Sequence, residues 1–288
     1  MKPAAFDYKA PETLPEALSL LASAGESAMP LAGGQSLVPL LSTRRCRPAT
    51  VIDLNRLPGL DGVSISRDTV HVGAMTRLRT LERHVGLRQA LPVLPQAAAL
   101  VGQPQIRHRA TLGGSLCHAD PTAELPALAV ALEAGLRLRS REAERTEAAA
   151  RFFTGPHATA RQPGELLTEI EFRLLPGFRF WFEEVTQRGE AGFAVVGLCL
   201  GIALHGPVVT GARLAAAGVA PWPLRLSAAE ARLTGRRIYD DLTDVAEAAV
   251  ADTDPVADLH GDVRYRQALL RVLIHRAASH AANMRSPV

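Results

Sequence analysis

Two glycine pairs, Gly33-Gly34 in "LAGGQSLVPLL" and Gly113-Gly114 in "ATLGGSL", constrain this chain more than any other feature. Glycine is selected where φ must be positive, or where another group has to come close to the main chain. A tight turn needs one glycine. Two in succession, with Gln35 and Ser36 after the first pair and Thr111 and Ser115 around the second, point to a backbone kept bare for a ligand. Successive exposed amides form a nest of partial positive charge, so phosphate is the first candidate. Two such loops could grip the two phosphates of one pyrophosphate. Taken singly, each pair is also explained as a turn between a strand and a helix.

The rest of the chain reads as short alternating elements. "FDYKAPETLPEALSLLASAG" predicts a strand-like piece and then a helix, with Thr13 and Glu16 at capping-box spacing, Pro15 in the first turn and Gly25 at the end. Residues 28–31 read as a strand entering the first glycine pair. "SLVPLLSTRR" reads as a short helix and "TVIDLNRL" as a strand ending near Pro58 and Gly59. "VSISRDTVHVG" alternates on both sides of Arg67-Asp68, as a hairpin does. Helical stretches follow at 78–84 and 93–101. "AELPALAVALEAG" predicts a helix stopped by Gly135, and "GLRLRS" a strand.

Beyond Phe152 the pattern changes. Residues 165–175, 178–188, the apolar run from Phe193 and residues 211–220 read as successive strands, which suggests an antiparallel sheet. Three helices close the chain, at 227–234, 241–251 and 262–282. The last places Tyr265, Leu269, Val272 and Leu273 on one face and arginines on the other. A chain of 288 residues is long for one core. The reading is therefore α+β in two domains, 1–175 and 176–288. The sequence around the two glycine pairs shows no internal repeat.

Composition narrows the function classes. The hydrophobic fraction of 47% and charged fraction of 21% are those of a globular protein. Thirty-two basic residues are interspersed with 29 acidic ones, so the net charge of +3 gives no nucleic-acid-binding stripe. Cys46, Cys117 and Cys199 lie far apart without CxxC spacing, which argues against a zinc or iron–sulfur site in this chain and for free thiols in a reducing cytoplasm. Cys117-His118 likewise lacks ligand spacing, and no metal ligand is assigned. Asp7, Glu12 and Glu16 make the N-terminus unlike a signal peptide. The longest apolar stretch, "FAVVGLCLGIAL", is about half of the ~20 residues a membrane helix needs. Neither G-x-G-x-x-G nor G-x-x-x-x-G-K-[ST] occurs.

Longer words carry a resemblance. "PLAGGQSLVPLL", "VGAMT", "QPQIRHRATLGGSLCHADPTAELPAL", "PGELLTEIEF" and "GVAPWPLR", in this order, resemble the FAD-binding medium subunit of the molybdenum hydroxylases, the group of aerobic carbon monoxide dehydrogenase and xanthine dehydrogenase. The likeness extends to "DVRYRQALLRVLIHRAA" and so covers essentially the whole chain. It implies a vanillyl-alcohol-oxidase-like (PCMH-type) FAD-binding domain of two subdomains, about 1–57 and 58–175, followed by a C-terminal flavoprotein domain.

By the same resemblance, Ala32, Gly33, Gly34, Gln35, Ser36 and Leu37 correspond to the first pyrophosphate loop. Thr111, Leu112, Gly113, Gly114 and Ser115 correspond to the second, beside the pyrophosphate and ribityl chain. Ser115 departs from the more usual asparagine. Glu124 stands where an acidic residue accepts hydrogen bonds from FAD hydroxyls; a carboxylate at a helix N-terminus also explains it. Gly102 and Ile106 resemble the segment near flavin and adenine. Gly73-Ala74 and Glu165–Leu167 are weaker correspondences. His118 and Asp120 in "LCHADP" adjoin the second pair and are placed at the isoalloxazine, with a satisfied loop histidine as the alternative. Arg107 to Arg109 read as pyrophosphate counter-charge, a partner contact or a solvated loop. Gln35, where covalent flavoproteins often place histidine, argues for noncovalent FAD. In "EEVTQRGEAGFAVVG" Phe193 is retained as a candidate flavin shield, and a core strand residue is its alternative. Glycine replaces the family's usual aspartate there, and Glu184 or Val185 falls where some members have lysine.

The function implied is that of an electron-transfer subunit with no catalytic acid or base of its own. It would take electrons from a small 2Fe-2S subunit, beside a large molybdopterin-binding subunit, and pass them through FAD to an external acceptor. The assembly implied is a cytoplasmic dimer of heterotrimers. A stand-alone flavin oxidase of the same fold is the alternative.

Overall fold

The computed structural model of the chain describes residues 2–187 and 192–283. Residues 188–191, which hold all but Gly192 of the departure from the family pattern at Gly189–Gly192, lie outside the described residues. Three parallel strands open the chain, β1 (Asp7–Lys9), β2 (Ala28–Leu31) and β3 (Thr50–Asp53), in the order β1-β3-β2. Parallel neighbours require crossover connections. α1 (Leu14–Ala24) and α2 (Leu37–Ser42) supply them. α1 starts as its sequence predicts, with Thr13 accepting the Glu16 amide at 3.3 Å, and Gly25 ends it at φ 56°. The reciprocal half of the capping box falls one residue early, since the Glu16 carboxylate accepts from the Glu12 amide at 3.1 Å.

The hairpin β4 (Val63–Ile65) and β5 (Thr69–Gly73) forms as read. Six short helices then run from it: α3 (Leu78–Arg83), α4 (Val85–Ala90), α5 (Val93–Leu100), α6 (Pro104–Arg107), α7 (Leu112–His118) and α8 (Glu124–Ala131). The chain continues through β6 (Gly135–Arg139), β7 (Glu144–Ala148), α9 (Ala149–Phe152), the small hairpin β8 (Phe153–Gly155) and β9 (Ala158–Thr159), and β10 (Leu166–Arg173). Two expectations change here. Glu133, at φ 52°, makes the left-handed turn after α8, while Gly135 opens β6. And β10 does not join the later strands. It inserts between β5 and β6 in a five-stranded antiparallel sheet, β4-β5-β10-β6-β7. Its Ile170 and Phe172 belong to the core that holds Val70, Val72, Leu136 and Leu138.

The second half is a four-stranded antiparallel sheet of β11 (Phe178–Thr186), β12 (Ala194–His205), β13 (Val208–Ala217) and β14 (Leu224–Arg225). α10 (Ser227–Leu233), α11 (Thr243–Ala251) and α12 (Val263–Asn283) follow. Both faces of this sheet are covered. Phe180, Phe182, Cys199, Ala215 and Ala217 share the core of α5 and α8, while Val196, Leu198, Leu200, Leu214 and Ala216 pack under α10 to α12. A strand buried on both sides needs a continuous apolar run, which is what β12 has.

The face of α12 is rotated from the one predicted. Tyr265 and Val272 are exposed, and Leu270, Leu273, Ile274, Ala277 and Ala281 are buried. Arg266 sets the rotation: it is buried, and its guanidinium donates to the carbonyl of Gly218 at 3.0 Å and to Asp258 at 2.8 Å. Among the described residues no helix is long and apolar enough to cross a membrane.

Candidate cofactor site

β2 ends at Leu31 and the chain turns through the first glycine pair. Gly34 takes φ 75°, a conformation that side chains disfavour. Gly33 is needed for space: a Cβ there would lie 2.1 Å from the carbonyl oxygen of Arg109. Among the described residues, the amides of Gly33, Gly34, Gln35 and Ser36 donate to no protein acceptor. Four successive unpaired amides form the nest that the sequence suggests.

They border a cleft of about 350 Å³ lined by Gly33, Gly34, Gln35, Asp53, Asn55 and Arg109 among others. Asn55 braces its wall, donating to the Ala32 carbonyl at 3.0 Å and accepting from Arg77 at 2.6 Å. Arg77 also donates to the Arg109 carbonyl. Burial, and then the neighbouring Arg109 charge, lower the Arg77 pKa. Burial works to raise the Asp53 carboxyl, yet hydrogen bonds from Tyr8 and Asn55 hold it below the ordinary range. Arg109 makes no ion pair among the described residues. Arg107, by contrast, is structural: it is buried, and it binds Glu82 at 3.0 Å and the Gly102 carbonyl at 2.6 Å. Asp53, Asn55 and Arg77 were not anticipated. Their only signal is the turn-forming D-x-N after a strand.

The second glycine pair is not a loop. Gly113 and Gly114 lie in the first turn of α7, and their amides are already used. Gly113 donates to the Ala74 carbonyl at 2.8 Å, Gly114 to Thr111 Oγ1 at 3.0 Å, and Ser115 to the Thr111 carbonyl at 3.0 Å. A Cβ at Gly113 would meet the Cβ of Ala74 at 2.5 Å. A Cβ at Gly114 would lie 3.6 Å from that of Ala32, so the two pairs do face one another. Side chains, chiefly the half-buried Ser115, remain to reach a ligand on this side.

The other candidates divide. His118, Asp120 and His157 come together, each offering a ligand atom within 4.8 Å of the others. Burial, and then the His157 charge, lower the His118 pKa, while Asp120 opposes them. One oxygen of Asp120 is engaged by the amide and hydroxyl of Thr122, both at 2.9 Å. Glu124 is buried at the start of α8. Leu167 is a core residue of β10. Gly102, at φ 50°, makes a left-handed turn before α6, against which Ile106 packs. Phe193 is 79% exposed, which removes the reading of a core strand residue. A larger depression of about 770 Å³ between α10 and α11 is walled by Arg236 and Asp244, which satisfy each other at 2.6 Å.

The chemistry at the first pair fits the diphosphate of a dinucleotide: amides and an arginine side chain that make no hydrogen bond or ion pair of their own among the described residues, and a glycine whose Cβ would strike the Arg109 carbonyl. Comparison with known proteins identifies the family. Residues 4–173 match the family model described as the FAD binding domain in molybdopterin dehydrogenase, and residues 181–281 the CO dehydrogenase flavoprotein C-terminal domain. The chain is 37% identical over 290 residues to the 6-hydroxypseudooxynicotine dehydrogenase complex subunit alpha of Paenarthrobacter nicotinovorans, covering 100% of this chain and 98% of that one. It is 35% identical to the carbon monoxide dehydrogenase medium chain of Hydrogenophaga pseudoflava, over 98% of each. The solved carbon monoxide dehydrogenase of Hydrogenophaga pseudoflava lacking the Mo-pyranopterin moiety superposes with a TM-score of 0.94 at 36% identity, over 98% of each chain.

Proposed function

The chain belongs to the FAD-binding medium subunits of the molybdenum hydroxylases, and from that premise we propose that it is the terminal station of their electron relay. It is an FAD-dependent oxidoreductase subunit, and the molybdenum cofactor and 2Fe-2S clusters belong to other subunits. In the relay, a partner 2Fe-2S subunit delivers electrons to this chain and an external acceptor removes them. The partners are a large molybdopterin-binding and a small 2Fe-2S subunit, in a cytoplasmic dimer of heterotrimers. The two-domain division near residue 175 belongs to the same reading.

FAD, when bound, supplies the redox chemistry, and the protein supplies placement and electrostatics. The unpaired amides of Gly33, Gly34, Gln35 and Ser36 carry this proposal. They and Arg109 would hold the pyrophosphate noncovalently, with Ala32 and Leu37 shaping the loop. Thr111, Gly113 and Gly114 set the facing wall, from which Ser115 reaches the ligand. Glu124 would accept hydrogen bonds from FAD hydroxyls. Ala74, Gly102, Ile106, His118 and Leu167 support or border the site, and Phe193 covers it.

The test has two parts. The full chain is purified and its absorption spectrum taken, and any flavin is released by heat and identified. Intact FAD is expected. A colourless chain that refuses added FAD, alone and with its partner subunits, would sink the proposal. Mixing the FAD-loaded chain with its chemically reduced 2Fe-2S partner should then bleach the flavin bands within turnover time. Bands that persist would refute the relay while leaving FAD binding intact.

A further inference from the structure

β11 places Phe178, Phe180, Phe182 and Glu184 on one face of the sheet by simple alternation. Phe180 and Phe182 enter the core of α5 and α8, and Phe178 packs against it. Glu184 extends this apolar row with a carboxyl. Its Oε2 is buried without a hydrogen-bond partner among the described residues, a costly arrangement for an ionised group.

The register shows where that carboxyl faces. Glu184 pairs with Gly197, and Gly197 pairs with Ala217. The Phe182 ring covers Gly197, where a Cβ would meet it at 3.1 Å, and the Cβ of Glu184 lies beside it, so Glu184 ends the aromatic row on the α8 side of the sheet. At the far end of this row the Gly218 amide donates to the Pro121 carbonyl at 2.8 Å, which ties down the segment leading into α8. Glu124, the first residue of α8, is 8% exposed.

We propose that Glu124 and Glu184 face each other on the α8 side of the sheet and share one proton, making Glu184 the positioning residue for Glu124. The positioning half rests on the reading of Glu124 as a flavin contact. Two adjacent buried carboxyls cannot both ionise cheaply, and a shared proton turns their repulsion into a hydrogen bond. Burial is the main cause pushing Glu124 up to about 7, with the Asp120 charge adding to it. Burial, then the Glu124 charge, pushes Glu184 up to about 8. The charge acting on Glu124 is Asp120, from the loop before α8, and the charge acting on Glu184 is Glu124; Cys199, whose thiol burial pushes up, shares the same core on β12. Both carboxyls lie above their unfolded values. The stability they contribute is thus fully present below the unfolded pKa of 4.5 and is lost as pH rises through the folded values.

The test is an infrared pH titration of the full chain, with and without FAD, for wild type, Glu184→Gln and Glu184→Lys. Wild type should keep a protonated carboxyl that titrates above about pH 6. Glu184→Gln, which donates but cannot ionise, should lower the remaining titration by about one unit or more, and Glu184→Lys should lower it further. No such carboxyl in wild type, or an unchanged titration in both variants, overturns the shared proton. In wild type FAD affinity should fall about tenfold between about pH 6.5 and pH 9, and in Glu184→Gln it should stay flat. A flat wild-type profile overturns the positioning role alone. A chain that binds no FAD at any pH overturns the proposed function and with it that role, while the infrared result still judges the pair.

Discussion

Gly33-Gly34 and Gly113-Gly114 stand in nearly the same words, each after an apolar residue and with serine close behind, yet they do different work. In both, the first glycine lies against backbone, Gly33 on Arg109 and Gly113 on Ala74. The difference is in the amides. Those of the first pair have no partner among the described residues, while those of the second close the first turn of α7 on Thr111 and on Ala74. The first pair leaves its backbone free for the pyrophosphate that the proposed function places there. The other spends its backbone on locking the helix that faces the first loop. A glycine pair in a sequence therefore marks a close approach, and the accounting of N–H donors decides what approaches.

Substitutions at the paired positions test this. Gly33→Ala should have the largest effect. Its methyl would lie 2.1 Å from a carbonyl oxygen that cannot rotate away, so the loop or the 109–110 segment must move. We expect a loss of about 3 kcal/mol in urea unfolding, together with the loss of FAD. Gly113→Ala meets Ala74 at 2.5 Å and should cost about 2 kcal/mol, alike with and without cofactor. Equal damage to FAD retention at the two positions, once stability is allowed for, would erase the distinction. Arg109→Ala isolates the ligand side. It breaks no ion pair among the described residues, so the melting temperature without FAD should hold. FAD affinity should drop about tenfold, and less at high salt. A melting temperature that falls with Arg109→Ala would place that arginine in the scaffold.

How much of this was legible beforehand depended on how local each signal was. The capping of α1, the β4–β5 hairpin and the doubly buried β12 were readable because their causes lie within a few residues. β10 was misplaced because its partners, β5 and β6, are set by pairing across long stretches of chain. The face of α12 was misread because Arg266 was counted as polar and outward, whereas distant carbonyls bury it. α7 was missed for a related reason. Leu-Gly-Gly-Ser is a poor helix former, and carbonyls of Ala74 and Thr76 hold its first turn in place. Within the candidate site the glycines stood out, but the Asn55–Arg77 brace did not, since two surface polar residues carry no sign of being partners.

The smallest of these effects is the most diagnostic for the second pair. Thr111 is buried and accepts the Gly114 amide at 3.0 Å, which makes it the N-cap of α7. Thr111→Val keeps the shape and removes the acceptor, leaving a donor unsatisfied, and should cost about 1 kcal/mol. Thr111→Ser keeps the acceptor and should recover most of that loss. If the second pair mainly locks the helix, both variants should hold FAD within a few-fold of wild type once stability is matched. If the Thr111 hydroxyl instead reaches the ligand, Thr111→Val should lose affinity out of proportion to its stability. The same result would return the second glycine pair to the ligand-holding role that its sequence first suggests.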